Sequence, residues 1–259
     1  MNMVVCVKEI LDPEIPAKYF KIDPGARRAI KPPDIQLVIS DYDESAVEAA
    51  LKIKDSVESK ITIISLGGES AKNIIRRCIA MGADEGVLIS DPLFNDADSF
   101  ATASVLAEAI KKLGDFDLIL CGRQEGDWDA GQVGTGIAEL LGIPSVTMLG
   151  NIEAKDGKVV VERVISDGRE TVEVLLPALV TVSSEVGEPR YPSFRRVREA
   201  SKMEIPTWSA QDIAPAKARD KMLSLFVPPR EVKCEFISGE TSEEAGTNLA
   251  LKLKQIKAI

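Results

Sequence analysis

Phe116-Asp117-Leu118-Ile119-Leu120-Cys121-Gly122-Arg123-Gln124-Glu125-Gly126-Asp127-Trp128-Asp129-Ala130-Gly131-Gln132-Val133-Gly134-Thr135-Gly136 carries three local signals in succession. The apolar run ending at Cys121 reads as a fully buried strand. Gly122 to Asp129 is a polar loop. A helix is expected from near Ala130 to Leu141, stopped by Gly142 and Pro144. Strand, glycine-bearing loop and helix N-terminus is how α/β proteins hold a phosphate: backbone N–H groups and the helix dipole face the anion, and small residues let it approach. The spacing matches neither common nucleotide fingerprint, because Gln132-Val133 stands where a Walker loop has Lys-Ser/Thr and no GxGxxG is present. On pattern alone the stretch is either a nucleotide loop of another kind or a plain strand-to-helix turn.

Upstream, the same alternation repeats. Met3-Val4-Val5-Cys6-Val7 reads as a strand, and Lys8 to Asp12 follows at its carboxyl end, where open α/β sheets bind ligands. Pro13 to Pro33 is proline-bearing and reads as irregular. After the apolar Ile35–Ile39, the run Ser40-Asp41-Tyr42-Asp43 is expected to cap a helix, with Asp43 accepting from first-turn amides and Ala46, Val47, Ala49, Ala50 and Ile53 as its apolar stripe. Ile61–Leu66 is a strand and Ala71–Met81 a helix ended by Gly82. Gly86–Ser90 is a strand, and a helix is expected from about Asp98 to Leu113. Buried-type strands alternating with helices over residues 1–145 predict a three-layer α/β/α fold with a mainly parallel sheet. Its ligand loops gather on one edge: Lys8–Asp12, Ser40–Asp43, Leu66–Ser70 and Gly122–Thr135.

Past Pro144 the rhythm changes. Val146–Leu149, Lys158–Val164 and Thr171–Leu175 read as strands joined by Asp156-Gly157 and Asp167-Gly168 turns, and Pro177–Val182 as one more buried strand. Hairpins added to a parallel sheet predict an antiparallel edge. From Gly187 sheet character is lost. Glu188–Arg198 is basic, proline-bearing and carries Tyr191 and Phe194, which reads as a solvated helix entrance or as a protruding anchor of hot-spot composition. The expected organisation is a nucleotide-binding domain over 1–186, with hairpin additions from about 146, a recognition loop and helix over 187–206, and a C-terminal arm over 207–259. That arm, too poor in apolar residues for its own core, holds an amphipathic helix from roughly Glu243 to Ile256 and is expected to pack on a partner chain.

Composition narrows the chemistry. With 259 residues, 45% hydrophobic and 5% aromatic, the chain is Val/Ile/Leu/Ala-rich, as buried parallel sheets require. A net charge of −9 argues against nucleic-acid binding. No run of eighteen apolar residues is present, so no membrane span is expected, and the start reads as a strand rather than a signal peptide, which implies a cytoplasmic protein. The chain has no histidine, which excludes Ser-His-Asp and Cys-His catalysis and His-ligated zinc. The four cysteines are far apart with no CxxC, and Cys6 and Cys121 on buried strands read as small hydrophobes. Neither a metal site nor stand-alone catalysis is expected.

Taken in order, several segments resemble the β subunit of electron-transfer flavoprotein over essentially the whole chain. These are Val5-Cys6-Val7-Lys8 with Asp12; Asp43 to Ala50; Ala80-Met81-Gly82-Ala83-Asp84; Gly122-Arg123-Gln124 with Asp127, Asp129 and Gln132-Val133-Gly134; and Arg163, Asp167-Gly168, Glu170, Val172, Pro177, Leu179-Val180 and Thr181. Glu188-Pro189-Arg190-Tyr191 resembles the opening of that family's loop for partner dehydrogenases. The resemblance implies a heterodimer with a homologous α subunit that holds most of a redox-active FAD. It further implies AMP in the β subunit's own cleft or, in electron-bifurcating members, a second FAD that meets NADH. The implied partner is a flavin-dependent dehydrogenase or reductase of acyl-CoA type, with NADH and ferredoxin added under bifurcation.

By the same resemblance, Cys6, Lys8 and Leu66 flank the adenosine, and Ser40, Asp41, Tyr42 and Asp43 line the side facing the flavin. Gly122, Arg123 and Gln124 belong to the nucleotide loop. Gln132, Val133, Gly134 and Thr135 offer amides and a hydroxyl to phosphate, while Asp127 and Asp129 cap the helix and bond ribose, pointing away from the anion. Arg190, Tyr191, Phe194, Arg195, Arg196 and Arg198 form the docking surface, with Phe194 as apolar anchor. Ser40-Asp41 departs from the family's usual Asn-Pro. Bulky Trp128, and Ala130-Gly131 where bifurcating members have Thr-Ala, leave the nucleotide open between AMP and a second FAD, with AMP the preferred expectation. The rival readings are a non-redox adenine-nucleotide-binding regulatory protein and an ATP-dependent ligase or pyrophosphatase, the latter lacking a matching pyrophosphate loop.

Overall fold

The structure is a computed structural model that describes residues 1–95, 97–229 and 234–259. Its strands are β1 Asn2–Cys6, β2 Glu9–Leu11, β3 Lys21–Asp23, β4 Arg28–Ile30, β5 Leu37–Ile39, β6 Lys60–Leu66, β7 Glu85–Ile89, β8 Leu118–Gly122, β9 Ser145–Lys155, β10 Lys158–Ile165, β11 Gly168–Leu175, β12 Ala178–Val182 and β13 Thr207–Trp208. Its helices are α1 Asp41–Ser56, α2 Lys72–Met81, α3 Ser99–Leu113, α4 Val133–Leu141, α5 Phe194–Ala200 and α6 Ser242–Gln255. The main sheet runs β11-β10-β9-β12-β8-β1-β6-β7-β13. From β9 through β12, β8, β1, β6 and β7 to β13 every pairing is parallel, and β9-β10-β11 is an antiparallel edge.

Side chains alternate across the sheet with the two-residue strand period. Met3, Val5, Ile61, Ile63, Leu118, Leu120 and Val180 pack with Val47, Ala50, Ile75 and Ala200, from α1, α2 and α5, on one face. Val4, Ile64, Ile119, Cys121 and Leu179 pack with Val105, Leu106, Ile110 and Ile137, from α3 and α4, on the other. Both faces are covered, which is why the central strands are mostly apolar on both faces, with Thr62, Ser65 and Thr181 as small buried polar exceptions. The expected three-layer fold with its antiparallel edge is observed. β1 continues on one side to β6 and β7, while β8 returns on the other, so the direction of winding reverses between β1 and β8. In open α/β sheets that reversal opens a crevice beyond the strands' carboxyl ends.

Four local expectations are corrected. Pro13–Pro33 is not wholly irregular: β3 and β4 form a hairpin there, and the Asp23 carboxylate accepts from the N–H groups of Gly25 and Ala26, both at 2.9 Å, to close the turn. Helix α4 starts at Val133 rather than Ala130, because Asp129 (φ 52°) and Gly131 (φ 63°) turn left-handed, which a right-handed helix does not accommodate. Asp156-Gly157 turns the β9-β10 hairpin as expected, with φ of 51° and 77°. In the next hairpin Gly168 is already paired with Ile165, so the turn residues are Ser166-Asp167. Sheet character also returns after Gly187, where β13 adds to β7, a two-residue strand too short to leave a periodic signal.

The chain divides into two compact units, Met1–Leu225 and Phe226–Ile259. Thr207–Leu225 therefore lies in the first unit, with Ile213 in its core, rather than in an arm that begins at 207. In the second unit α6 is capped by Thr241, whose hydroxyl accepts from the Glu244 N–H at 3.2 Å, and Lys252 pairs with Glu235 at 2.7 Å. No residue of α6 is buried. The part of the expected arm at Arg230–Lys233 lies outside the described residues.

Candidate functional site

The loops at the carboxyl ends of β1 and β8 are tied to the first turn of α1. Asp43 is buried, and it does not cap its own helix. Its Oδ2 accepts from the Lys8 N–H at 2.9 Å and its Oδ1 from the Gly122 N–H at 3.0 Å. The expectation that Asp43 caps α1 is thus corrected: two strand-end amides had no ladder partner, and a carboxylate one turn into the helix reaches both. Burial pushes the Asp43 carboxyl up to about 7, against the lowering effect of these two N–H donors and of the Lys8 charge.

Ser40, also buried, carries the remaining stitches. Its N–H donates to the Lys8 carbonyl at 3.0 Å, and its hydroxyl accepts from the Gly126 N–H at 3.2 Å. Gly122 is required by this crowding, since a Cβ there would stand 2.5 Å from Asp43 Oδ1 and 2.8 Å from the Tyr42 carbonyl carbon. Lys8, Ser40, Asp43, Gly122 and Gly126 are therefore one bonded assembly.

The carboxylates of the acidic loop are bonded within it, and one of them is paired with a cation. The Lys8 ammonium bridges both Asp127 oxygens at 2.7 and 2.8 Å. Gln124 Nε2 donates to Asp129 at 2.8 Å, and the Gly131 N–H donates to Glu125 Oε2 at 3.2 Å. Asp127 and Asp129 accordingly do not cap α4, which opens with no side-chain cap at all. The first-turn N–H groups of a helix lack intrahelical partners, so this uncapped start is an electropositive edge. It is lined by small or polar residues: Gln132 and Thr135 are exposed, and the Thr135 hydroxyl donates to the Gln132 carbonyl at 3.2 Å. Gly134 is buried against Thr181 and Cys121, and a Cβ there would meet Thr181 Cγ2 at 2.8 Å.

Arg123 turns to the α1 side. It donates to the Tyr42 hydroxyl at 2.8 Å and to Ser183 Oγ at 3.4 Å, with its guanidinium 4.5 Å from the Tyr42 ring centre. Its buried Nε has no partner. Ser183 and the Arg123 charge both hold the nearby Glu185 carboxyl below its ordinary range, the Ser183 hydrogen bond being the larger cause.

Other expected site residues sit less centrally. Cys6 and Cys121 are both buried in the core face that packs on α3 and α4. The hydrogen bond from Cys6, together with burial, pushes the Cys121 thiol well up, so it stays protonated. Leu66 is partly buried against the same core, and Asp41 is exposed.

In the docking group Tyr191 and Phe194 are 91% and 89% exposed. Arg195 pairs with Glu199 at 2.8 Å, and Arg196 and Arg198 are exposed on α5. Arg190 differs from the rest. It is turned inward to Glu48 and Asp55 of α1 and is spent on intrachain pairing rather than offered to a partner. Ser183, Glu125, Gly126, Glu48 and Asp55 were not singled out from sequence as site or docking residues. The one available cue was Glu48, a carboxylate within an otherwise apolar helical stripe.

Comparison with known proteins adds an independent line. The sequence model of the electron transfer flavoprotein domain matches residues 33–213. The chain is 36% identical to the caffeyl-CoA reductase–Etf complex subunit CarD of Acetobacterium woodii, over 98% of each chain. It is also 36% identical to the electron transfer flavoprotein subunit beta of Thermoanaerobacterium thermosaccharolyticum, again over 98% of each. To the acryloyl-CoA reductase electron transfer subunit gamma of Anaerotignum propionicum it is 38% identical, over 77% of this chain and 74% of the other. A two-layered helical cover on a parallel sheet, loops converging at its winding reversal, and full-length similarity to these relatives agree: the chain belongs to the electron transfer flavoprotein β-subunit family.

Proposed function

We propose that this chain is the β subunit of a heterodimeric electron carrier that binds AMP in its own cleft and holds FAD jointly with a homologous α chain. It passes electrons between a flavin-dependent dehydrogenase or reductase and a second redox carrier. The observation that carries the reading is the uncapped start of α4 at the head of β8, beside a loop whose carboxylates are occupied by Lys8, Gln124 and the Gly131 amide. These bonds turn the carboxylates away from the first-turn amides, and Lys8 offsets the Asp127 charge, so the helix start is left free to accept a phosphate. The relatives named as subunits of caffeyl-CoA and acryloyl-CoA reductase systems support a partner of acyl-CoA type.

FAD, when bound, supplies the electron-transfer chemistry, and the residues of this chain supply position and charge. In this reading the amides of Val133–Thr135 and the Thr135 hydroxyl hold the nucleotide phosphate. Ser40 and Asp43 fix the spacing of the loops around it. Tyr42 and Arg123 form the edge presented to the flavin, where the guanidinium adds a positive charge that, among the described residues, pairs directly with no carboxylate. The thiols of Cys6 and Cys121 pack beneath the nucleotide loop as buried core groups, and the Cys121 thiol stays protonated.

The test is cofactor content of the purified αβ complex, read by chromatography of the acid extract. One FAD and one AMP per complex is expected. Two FAD in place of that pair assigns the cleft to a second flavin and moves the protein to the bifurcating, NADH-linked reading. Flavin without any adenine nucleotide in the β chain overturns the assignment of the α4 cleft.

A further inference from the structure

Helix α1 does more than frame the cleft. Arg190 donates through Nε and Nη2 to both oxygens of Glu48, at 2.9 to 3.2 Å, and through Nη1 and Nη2 to the two oxygens of Asp55, at 3.3 and 2.8 Å. Its backbone N–H donates to Glu48 Oε2 at 3.0 Å as well. The Glu48 side chain is only 5% exposed, set among Ala46, Val47, Ala49 and Ala50. A carboxylate buried in an apolar stripe is tolerated only when charge and hydrogen bonds compensate its lost hydration, and the planar guanidinium fork does both. Four residues upstream of Arg190, the Val186 carbonyl accepts from the Lys52 ammonium of the same helix. The segment from Val186 to Arg190 is thus tethered twice to α1. Directly beyond the second tether stand the exposed aromatics, Tyr191 and then Phe194 at the start of α5, where the Ser193 hydroxyl caps the helix.

The geometry points to Glu48 and Asp55 as positioning residues of an interaction surface: by gripping Arg190 they hold Tyr191 and Phe194 preformed for an apolar pocket on a flavin-dependent partner enzyme. This rests on reading residues 187–206 as the partner-recognition segment. A tethered loop has lost its backbone freedom before encounter, so docking does not have to supply that ordering each time. On the same helix Asp43 is turned to the Lys8 and Gly122 amides, so the anchor and the cleft are held by different groups and separate variants address them.

The experiment uses the FAD-loaded αβ complex carrying Arg190→Lys, Glu48→Gln or Asp55→Asn, each alone and with Phe194→Ala. Amide hydrogen exchange reports on residues 187–200. Steady-state assays take the complex as variable substrate of an acyl-CoA dehydrogenase, with a small dye as the partner-independent acceptor. Arg190→Lys keeps the charge and loses the fork. It is expected to speed exchange within 187–200 and to raise KM for the complex by about tenfold, with kcat and dye reduction unchanged. In the Phe194→Ala background that KM effect disappears, an outcome a general structural role would not produce. Unchanged exchange in Arg190→Lys and Glu48→Gln overturns the anchor, as does faster exchange spread along all of α1. Faster exchange with an unaltered KM in Phe194→Ala overturns the docking assignment instead. Should Glu48→Gln fail to fold, the exposed Asp55→Asn carries the same test with a smaller expected effect.

Discussion

Asp43 offers a direct pH experiment, because the chain contains no histidine to titrate beside it near pH 7. Its carboxyl rises from an ordinary 3.8 to about 7 in the folded chain, chiefly through burial. A raised folded pKa means that the native state binds the proton more tightly than the unfolded state. The associated stability is therefore fully present below pH 3.8 and is lost as pH climbs through 7. The whole shift is worth about 4 kcal/mol at 1.36 kcal/mol per unit, and roughly 2 kcal/mol of it falls between pH 5.5 and 9.

Asp43→Asn removes the titration. It also loses one of two acceptors, since the amide offers a single oxygen to the Lys8 and Gly122 donors, which costs about 1–3 kcal/mol. The variant is thus less stable than the parent at pH 5.5, and the gap narrows by roughly 2 kcal/mol by pH 9. Urea unfolding followed through Trp128 and Trp208, in parallel series for both proteins, measures the gap directly, because every other titration is shared and cancels. A gap that stays constant across the window would refute the reasoning: it would mean that the two N–H donors outweigh burial and keep Asp43 ionised throughout.

Three further outcomes follow from the same geometry. Gly122→Ala places a methyl 2.5 Å from Asp43 Oδ1 and 2.8 Å from Tyr42 backbone, and overpacking of that kind costs about 1–3 kcal/mol in urea unfolding; a loss below 0.5 would show that the loops yield freely. Lys8→Met breaks a partly exposed pair with Asp127 and shifts stability by less than about 1 kcal/mol, yet it frees a carboxylate beside the α4 entrance. Bound nucleotide measured after gel filtration should fall in that variant, and full retention counts against a phosphate at α4. Phe194→Ala should slow electron transfer to the partner dehydrogenase while FAD content is unchanged, and transfer by the parent should slow as salt rises, since Arg195, Arg196 and Arg198 steer an acidic partner; a fall in FAD would instead make the segment structural.

The layered sheet was legible because local chemistry and global position agree along it. A strand buried on both faces reads as a near-continuous apolar run, as in Leu118–Cys121, and a covering helix must repeat its apolar stripe, as in Ala46–Ile53. The hairpin edge was legible from Asp156-Gly157, whose left-handed pair is a short-range property of those two residues. The start of α4 was misread by three residues because nothing in Ala130-Gly131-Gln132 announces that Asp129 and Gly131 turn left-handed.

Pairing across long separations was not legible. Asp43 looked like a helix cap because Asp at a helix start usually is one. Only the fold reveals that two unladdered amides, Lys8 and Gly122, lie closer to its oxygens than its own first turn does. Arg190 looked like part of a basic docking face, and it is in fact 142 residues from its principal partner, Glu48. Sequence by itself determined the layers, the strand types, the absence of histidine chemistry and the strand-to-loop-to-helix order from Leu118 to Leu141, since these follow from each residue's own hydrophobicity, backbone preference and period. Tertiary structure alone decided which carboxylates are spent and which amides remain open, because that depends on which strand ends the winding reversal between β1 and β8 brings side by side.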